Sequence, residues 1–242
     1  MILAVDAGNT RIKWGVHANG AWRAGGACAT TDAAQLADSW RALTAPSRTI
    51  VANVAGDRAQ AAIVHACKRF GHEPQFIVSQ AAQCGVRSSY ERPAQLGSDR
   101  WAALIGAHHL YPGASLVVNA GTAMTVDALT DDGLFLGGII APGLDLMRRA
   151  LDAHTAALRW QLGEVRFFPN NTGDAIMSGA AHALAGAIER MATFMRESGQ
   201  DPVRVLLSGG AAGELRSLIA LETIAVDNLV LEGLVTIAEA TQ

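Results

Sequence analysis

The sequence predicts an α/β protein of two duplicated halves, each a mixed sheet flanked by helices, with a central cleft between them. Three observations lead there. Leu3-Ala4-Val5-Asp6-Ala7-Gly8 lies over Leu116-Val117-Val118-Asn119-Ala120-Gly121 at an offset of 113 residues, close to half of the 242-residue chain. Each copy opens a three-stranded meander that leads into alternating helices and strands. Half of the residues are hydrophobic, and a chain of this length buries roughly 70% of its surface on folding, enough for one large domain or two small ones. We expect domains at 1–114 and 115–242. Two such halves place their glycine turns across a cleft, a usual place for a ligand.

The elements follow in order. Residues 2–5 are continuously apolar and read as a buried strand, ended by the turn composition Asp6-Ala7-Gly8-Asn9-Thr10. In 11–16, Ile12, Trp14 and Val16 alternate with Arg11, Lys13 and Gly15, the two-residue period of a strand. Asn19-Gly20 is a hairpin turn, returning along 21–27. Asp32 caps a helix to about residue 43. A strand at 49–54, a helix at 57–70 and a strand at 75–78 complete the first half. Residues 79–97 read as loop, and 99–110 as a helix stopped by Pro112-Gly113. The second half opens with strands at 115–119, 123–129 and 134–140, the last two joined by Asp131-Asp132-Gly133. Helices are expected at 143–151, 172–197, 214–220 and 229–239, with strands at 203–207 and 224–226.

Composition removes several functional classes. A net charge of −3 argues against a general nucleic-acid binder, which needs a basic face. The start has no basic region before its apolar run, so it is a strand and not a signal peptide. No apolar run reaches the roughly 18 residues of a membrane span. We therefore expect a soluble cytoplasmic protein with no nucleic-acid or membrane partner. Cys28, Cys67 and Cys84 follow no metal or CxxC spacing and read as buried thiols of a reducing compartment. Trp14, Trp22, Trp40, Trp101 and Trp160 read as core or interface, His108 and His109 as surface or interface, and Met147-Arg148-Arg149 as a solvated helix end. Of 19 basic residues only Lys13 and Lys68 are lysines.

Four segments carry chemistry. In Asp6-Ala7-Gly8-Asn9-Thr10-Arg11-Ile12-Lys13, a glycine turn lets backbone N–H groups approach phosphate oxygens, Lys13 offsets their charge, and Asp6 at the strand end suits a magnesium ion. An ordinary hairpin with a solvated lysine accounts for the same residues. It is not a Walker A loop, which needs GxxxxGK[ST] before a helix. Ala120-Gly121-Thr122-Ala123, with Thr125 and Asp127, is either a tight turn or a second phosphate clamp. In Gly97-Ser98-Asp99-Arg100, Ser98 or Asp99 is a helix N-cap, or Asp99 is a carboxylate that accepts a hydroxyl proton while Arg100 holds an anion. Ser208-Gly209-Gly210 allows either a flat ligand or close helix–strand packing.

Taken in order, these segments resemble the type III pantothenate kinases, of the acetate and sugar kinase, heat-shock-70 and actin superfamily. The resemblance rests on Asp6 to Lys13, Tyr90 to Arg100, Gly121 to Asp127, Gly137 to Gly143 and Asn171 to Gly179. It implies two ribonuclease-H-like domains around a nucleotide cleft, a homodimer, and transfer of the ATP γ-phosphoryl group to the primary hydroxyl of pantothenate, giving 4'-phosphopantothenate. By position it implies that Asp6, Ala7, Gly8, Asn9, Thr10, Arg11, Ile12, Lys13 and Thr122 bind ATP. Tyr90, Gly97, Ser98, Asp99, Arg100 and Thr172 bind pantothenate, with Asp99 as proton acceptor and Thr172 supplied across the dimer. Asp6 carries Mg2+. Asn119 stands where the family has an aspartate tied to a monovalent cation, potassium or ammonium, so cation binding is expected to be weaker or altered. Two rivals remain: another small-molecule kinase of the superfamily, and a regulatory protein with a relict kinase fold.

Overall fold

The computed structural model describes residues 1–155, 158, 161–201 and 203–241. The chain divides into two compact units, Met1–Pro112 with Asn228–Gln242, and Gly113–Asp227.

In the first unit β1 (Ile2–Ala7), β2 (Arg11–Ala18) and β3 (Ala21–Ala29) form an antiparallel meander. The strands β4 (Arg48–Asn53) and β5 (Gln75–Phe76) join in parallel, giving the order β3-β2-β1-β4-β5. One face of β1 and β2 (Leu3, Val5, Ala7, Ile12, Trp14, Val16) packs under the short helix α1 (Leu36–Ser39) and α2 (Asp57–Cys67), through Leu36, Trp40 and Ile63. Each such large side chain taken fully out of water contributes about 1.5–3 kcal/mol. A small hairpin of β6 (Ala82–Gln83) and β7 (Val86–Ser88) precedes α3 (Ser98–Leu110).

The second unit repeats the plan. Its meander is β8 (Ser115–Ala120), β9 (Ala123–Leu129) and β10 (Leu134–Pro142), extended in parallel by β11 (Arg204–Ser208) and β12 (Thr223–Ala225) in the order β12-β11-β8-β9-β10. Helices α4 (Leu144–His154), α5 (Thr172–Glu197) and α6 (Ala212–Arg216) supply Leu144, Leu184, Ile188 and Leu215 to a core with Leu116, Val118, Met124 and Leu207. The final helix, α7 (Leu229–Ala240), belongs to the first unit rather than to the C-terminal half expected at 115–242. There it packs backbone to backbone on α3. A Cβ on Gly106 would lie 2.5 Å from Leu229 O, and one on Gly233 would overlap Ala102 O.

The duplication is visible residue by residue. β1 and β8 share one burial sequence, with Asp6 and Asn119 at the same half-buried fifth place. Asp6 faces Lys13 across its hairpin, whereas Asn119 faces Thr125. The second turn is one residue shorter, and Thr125 occupies the place of Lys13.

Several expectations are corrected. Residues 32–43 are not one helix: Thr30–Gln35 is 3-10, and α1 lasts a single turn. Thr30 is tied to the first glycine turn by its N–H to Thr10 O at 3.0 Å and its hydroxyl to Gly8 O at 2.6 Å, and two residues on Asp32 leaves helical geometry at φ −102° and ψ 19°. Residues 79–97 contain the β6–β7 hairpin. Only Cys67 of the three free thiols is buried; Cys28 and Cys84 are half-buried. Trp22 is half-buried, its indole donating to Glu232 Oε1 at 2.6 Å. Arg148 lies mid-helix with its side chain only 11% exposed, donating to Asp145 at 3.3 Å and to Gln161 O at 3.1 Å. Trp160 lies outside the described residues.

Candidate active site

The chemistry-bearing side chains of the first unit gather where β1 and β4 end, the carboxyl edge at which open α/β sheets place ligands. The two strands run in parallel, and the ladder continues past them as Val54 N–H donates to Ala7 O at 3.0 Å. The start of α3 is tied to the same edge: Asn53 N–H donates to Ser98 Oγ at 3.1 Å. Ser98 is therefore committed to the neighbouring strand, and Gly97 is the N-cap residue. Asn53 was not singled out by sequence. Its partner is 45 residues away, and no periodicity or motif marks it.

The first turn is narrow and closed. Gly8 N–H donates to Arg11 O at 3.1 Å, and a Cβ on Gly8 would stand 3.2 Å from that oxygen. Asn9, Thr10 and Arg11 are exposed at its tip. Arg11 and Lys13 line a concavity of about 480 Å³ that runs along β2 and β3. Lys13 stands directly across the ladder from Asp6, so both side chains project from one face of the sheet.

Asp6 and Asp99 are neighbours. Burial, and next the charge of Asp99, push the Asp6 carboxyl from 3.8 up to about 7, with Lys13 pulling the other way. Burial also raises Asp99, opposed by the Arg100 N–H that it accepts at 2.8 Å and by the Arg100 guanidinium. A Cβ on Gly97 would come within 2.6 Å of Asp99 Oδ1, so glycine there lets the carboxylate lie back over its own N-cap. Two acids that hold protons more tightly than usual, beside a lysine, suit proton acceptance next to a developing negative charge. They also fit Mg2+, which takes one or two carboxylates and completes its shell with phosphate oxygens and water. A divalent cation would relieve both the burial of Asp6 and its repulsion by Asp99. Among the described residues there is no cluster of three or more His, Cys, Asp or Glu suited to a metal.

The anion-binding candidates also meet. Arg100 is buried, and its Nη1 donates to the Tyr90 hydroxyl at 3.3 Å. Asn119, Thr122 and Thr172 belong to the second unit. Thr122 is exposed at a turn closed by Gly121 N–H to Ala123 O at 3.2 Å, and its carbonyl accepts Gly143 N–H at 2.9 Å. Gly143 packs so closely that a Cβ would overlap Gly121 O. Gly209, at φ +100°, would put a Cβ 2.5 Å from Ala120 O, so Gly209 has a packing role behind the second turn, whereas a Cβ on Gly210 would meet nothing within 4 Å. Thr172 is exposed at the start of α5, which Asn171 caps by accepting Asp174 N–H at 2.9 Å. His108 is half-buried and His109 exposed.

A sequence profile of type III pantothenate kinase matches residues 2–193. The type III pantothenate kinase of Nitrosospira multiformis is 47% identical over 241 residues, covering 100% of this chain and 92% of its own. That of Aromatoleum aromaticum is 52% identical over 238 residues, covering 98% of each. Among solved structures, a Sinorhizobium meliloti protein proposed to be a 2-dehydro-3-deoxygalactonokinase superposes with a TM-score of 0.61 at 20% identity, covering 100% of this chain and 99% of that one. At that identity the likeness speaks for the fold alone, two mixed sheets flanked by helices.

Proposed function

The chain belongs to the type III pantothenate kinase family, and from that premise we propose a residue-level account of its reaction. It is a phosphotransferase that phosphorylates pantothenate with ATP in coenzyme A biosynthesis. We assign one ribonuclease-H-like domain to each unit. Residues 6–13 and Thr122 bind the triphosphate, the exposed tip at Asn9 and Thr10 with polar donors and Lys13 with charge. Mg2+, when bound beside Asp6, supplies further neutralisation of phosphate charge. Arg100 and Tyr90 hold the pantothenate carboxylate, assisted by residues 97–98 and Thr172. Asp99 orients the primary hydroxyl toward the γ-phosphorus and accepts its proton as the new bond forms.

One observation carries this reading: Asn53 N–H donates to Ser98 Oγ at 3.1 Å, tying the start of α3, and with it Asp99, to the strand edge where Asp6 and Ala7 end β1. Asp99→Asn, assayed with ATP, Mg2+ and pantothenate, lowers kcat about 10²–10⁴-fold with the fold intact, the usual share of a general base. Turnover at the native rate would show that Asp99 is not the proton acceptor.

Two finer proposals accompany it. Asn119 offers a monovalent cation a carbonyl oxygen without charge, so dependence on potassium or ammonium is weak. The chain works as a homodimer. Leu162, Phe167 and Phe168 are 91%, 88% and 95% exposed just before Thr172, and a second copy would cover them. Light scattering on the native chain and on Phe167→Ser/Phe168→Ser tests this. No helix among the described residues is long and apolar enough to cross a membrane, and three free thiols accord with a cytoplasmic location.

A further inference from the structure

Residues 79–97 form a strap that α3 holds at several points. Ser79 closes its base, donating to Leu96 O at 2.8 Å. Within it, Cys84 and Gly85 take φ of +50° and +84°, a tight two-residue turn between β6 and β7. Pairing continues past the strands as Ser88 N–H donates to Ala81 O at 2.9 Å. The hairpin rests on α3 through two side chains. Trp101, fully buried, donates its Nε1–H to Gln83 Oε1 at 2.8 Å. The His108 ring lies against Gly85, where a Cβ would meet it at 3.1 Å. Tyr90 follows two residues after β7, its N–H on Ser88 Oγ at 3.3 Å and its hydroxyl accepting from Arg100. Adjacent residues of α3 thus do two things: Arg100 meets the Tyr90 hydroxyl, and Trp101 fixes the hairpin that delivers it.

We propose that Gln83 is a positioning residue for pantothenate, acting through the Trp101 hydrogen bond to hold Tyr90 against Arg100. This rests on the reading of Tyr90 and Arg100 as pantothenate ligands. Without its acceptor the indole N–H is left buried and unpaired, a costly state that the hairpin relieves only by shifting. Tyr90 moves with it. The ATP turn at the end of β1 is closed by its own bonds, Gly8 N–H to Arg11 O and the Thr30 hydroxyl to Gly8 O, takes none from the hairpin, and is spared.

The test is steady-state kinetics of the full chain with Gln83→Met, which keeps shape and removes the acceptor, and Gln83→Glu, which restores one. The Met variant is expected to raise KM for pantothenate about 5–10-fold, with kcat and KM for ATP within about twofold. The Glu variant returns KM for pantothenate to within about twofold of native. Should the Met variant fold poorly, Gln83→Asn, polar but too short to reach the indole, reproduces its KM shift at a native melting temperature. An unmoved KM for pantothenate, equal shifts in all three constants, or failure of Glu to rescue overturns the inference while native activity stands. A native chain that does not phosphorylate pantothenate overturns both this and the reading it rests on.

Discussion

Asp6→Asn should stabilise the protein while disabling it, and the stabilisation should depend on pH. In the folded chain the Asp6 carboxyl is pushed to about 7 from 3.8, first by burial and then by Asp99. The folded state therefore holds that proton more tightly than the unfolded state, and stability falls as pH rises from the unfolded value through the folded one. Asparagine has no such titration. A proton bound roughly a thousandfold more tightly, at 1.36 kcal/mol per tenfold, sets a ceiling of about 4 kcal/mol for the cost of ionised Asp6 at pH 8. The same linkage gives about 3 kcal/mol at pH 6 and under about 2 kcal/mol at pH 5. The advantage of the variant thus grows by about 2–3 kcal/mol between pH 5 and pH 8, or about 5–10 °C in Tm for a chain of this size. Thermal melts of both proteins across that range, in EDTA and without nucleotide, read it directly. A gap that stays constant with pH, or widens toward pH 5, would refute the claim that Asp6 is an acid held in a place hostile to its charge.

Three further outcomes are expected. Lys13→Ala raises KM for ATP about tenfold and KM for pantothenate less than twofold, because Lys13 lies across from Asp6 on the turn strand; equal effects in steady-state kinetics would make Lys13 structural. Asn119→Asp strengthens stimulation by potassium or ammonium, read as the ratio of rates with and without the salt, and an unchanged ratio would remove Asn119 from cation binding. Gly233→Ala destabilises by about 3 kcal/mol or more in urea titration, because the added methyl meets Ala102 O. Glycine to alanine inside a free helix stabilises by about 1 kcal/mol, so the sign alone tests the contact between α3 and α7.

Much of the frame is legible in the sequence because periodicity and turn chemistry act locally. The strand at 123–129 and the helix at 172–197 have the expected bounds. Asn19-Gly20 makes its hairpin with both residues at positive φ. The failures have local causes too. Residues 32–43 have helix-forming composition, but the bonds from Thr30 to the first turn and the burial of Trp40 bend the chain into 3-10 and a single α-turn. The β6–β7 hairpin is hidden because its strands are two and three residues long and its turn begins at cysteine, which no turn rule favours. Nothing in the order of residues brings Asp99 to Asp6, 93 positions away. Only the family resemblance pointed to it, and the parallel ladder of β1 with β4, with Ser98 tied to Asn53, is the physical reason it occurs.

The two hairpins also differ in two properties that the phosphoryl transfer proposed above demands. Charge must be concentrated where the phosphates sit, and the groups that meet them must be fixed before charge develops. The first copy keeps the charge: Asp6 and Lys13 face each other, and a side-chain bond from Thr30 holds the turn. The second copy carries neither charge, with Asn119 and Thr125 in their places. Its turn is shorter and is packed by backbone on two sides, from Gly143 and from Gly209, with Gly143 N–H and Ala211 N–H bonded to the carbonyls of Thr122 and Ala120. Backbone packing of that closeness admits no Cβ and leaves little room to move. The two hairpins therefore share one frame and differ in turn length and at one register pair, Asp6 with Lys13 against Asn119 with Thr125, so that one turn carries charge and the other is packed by backbone.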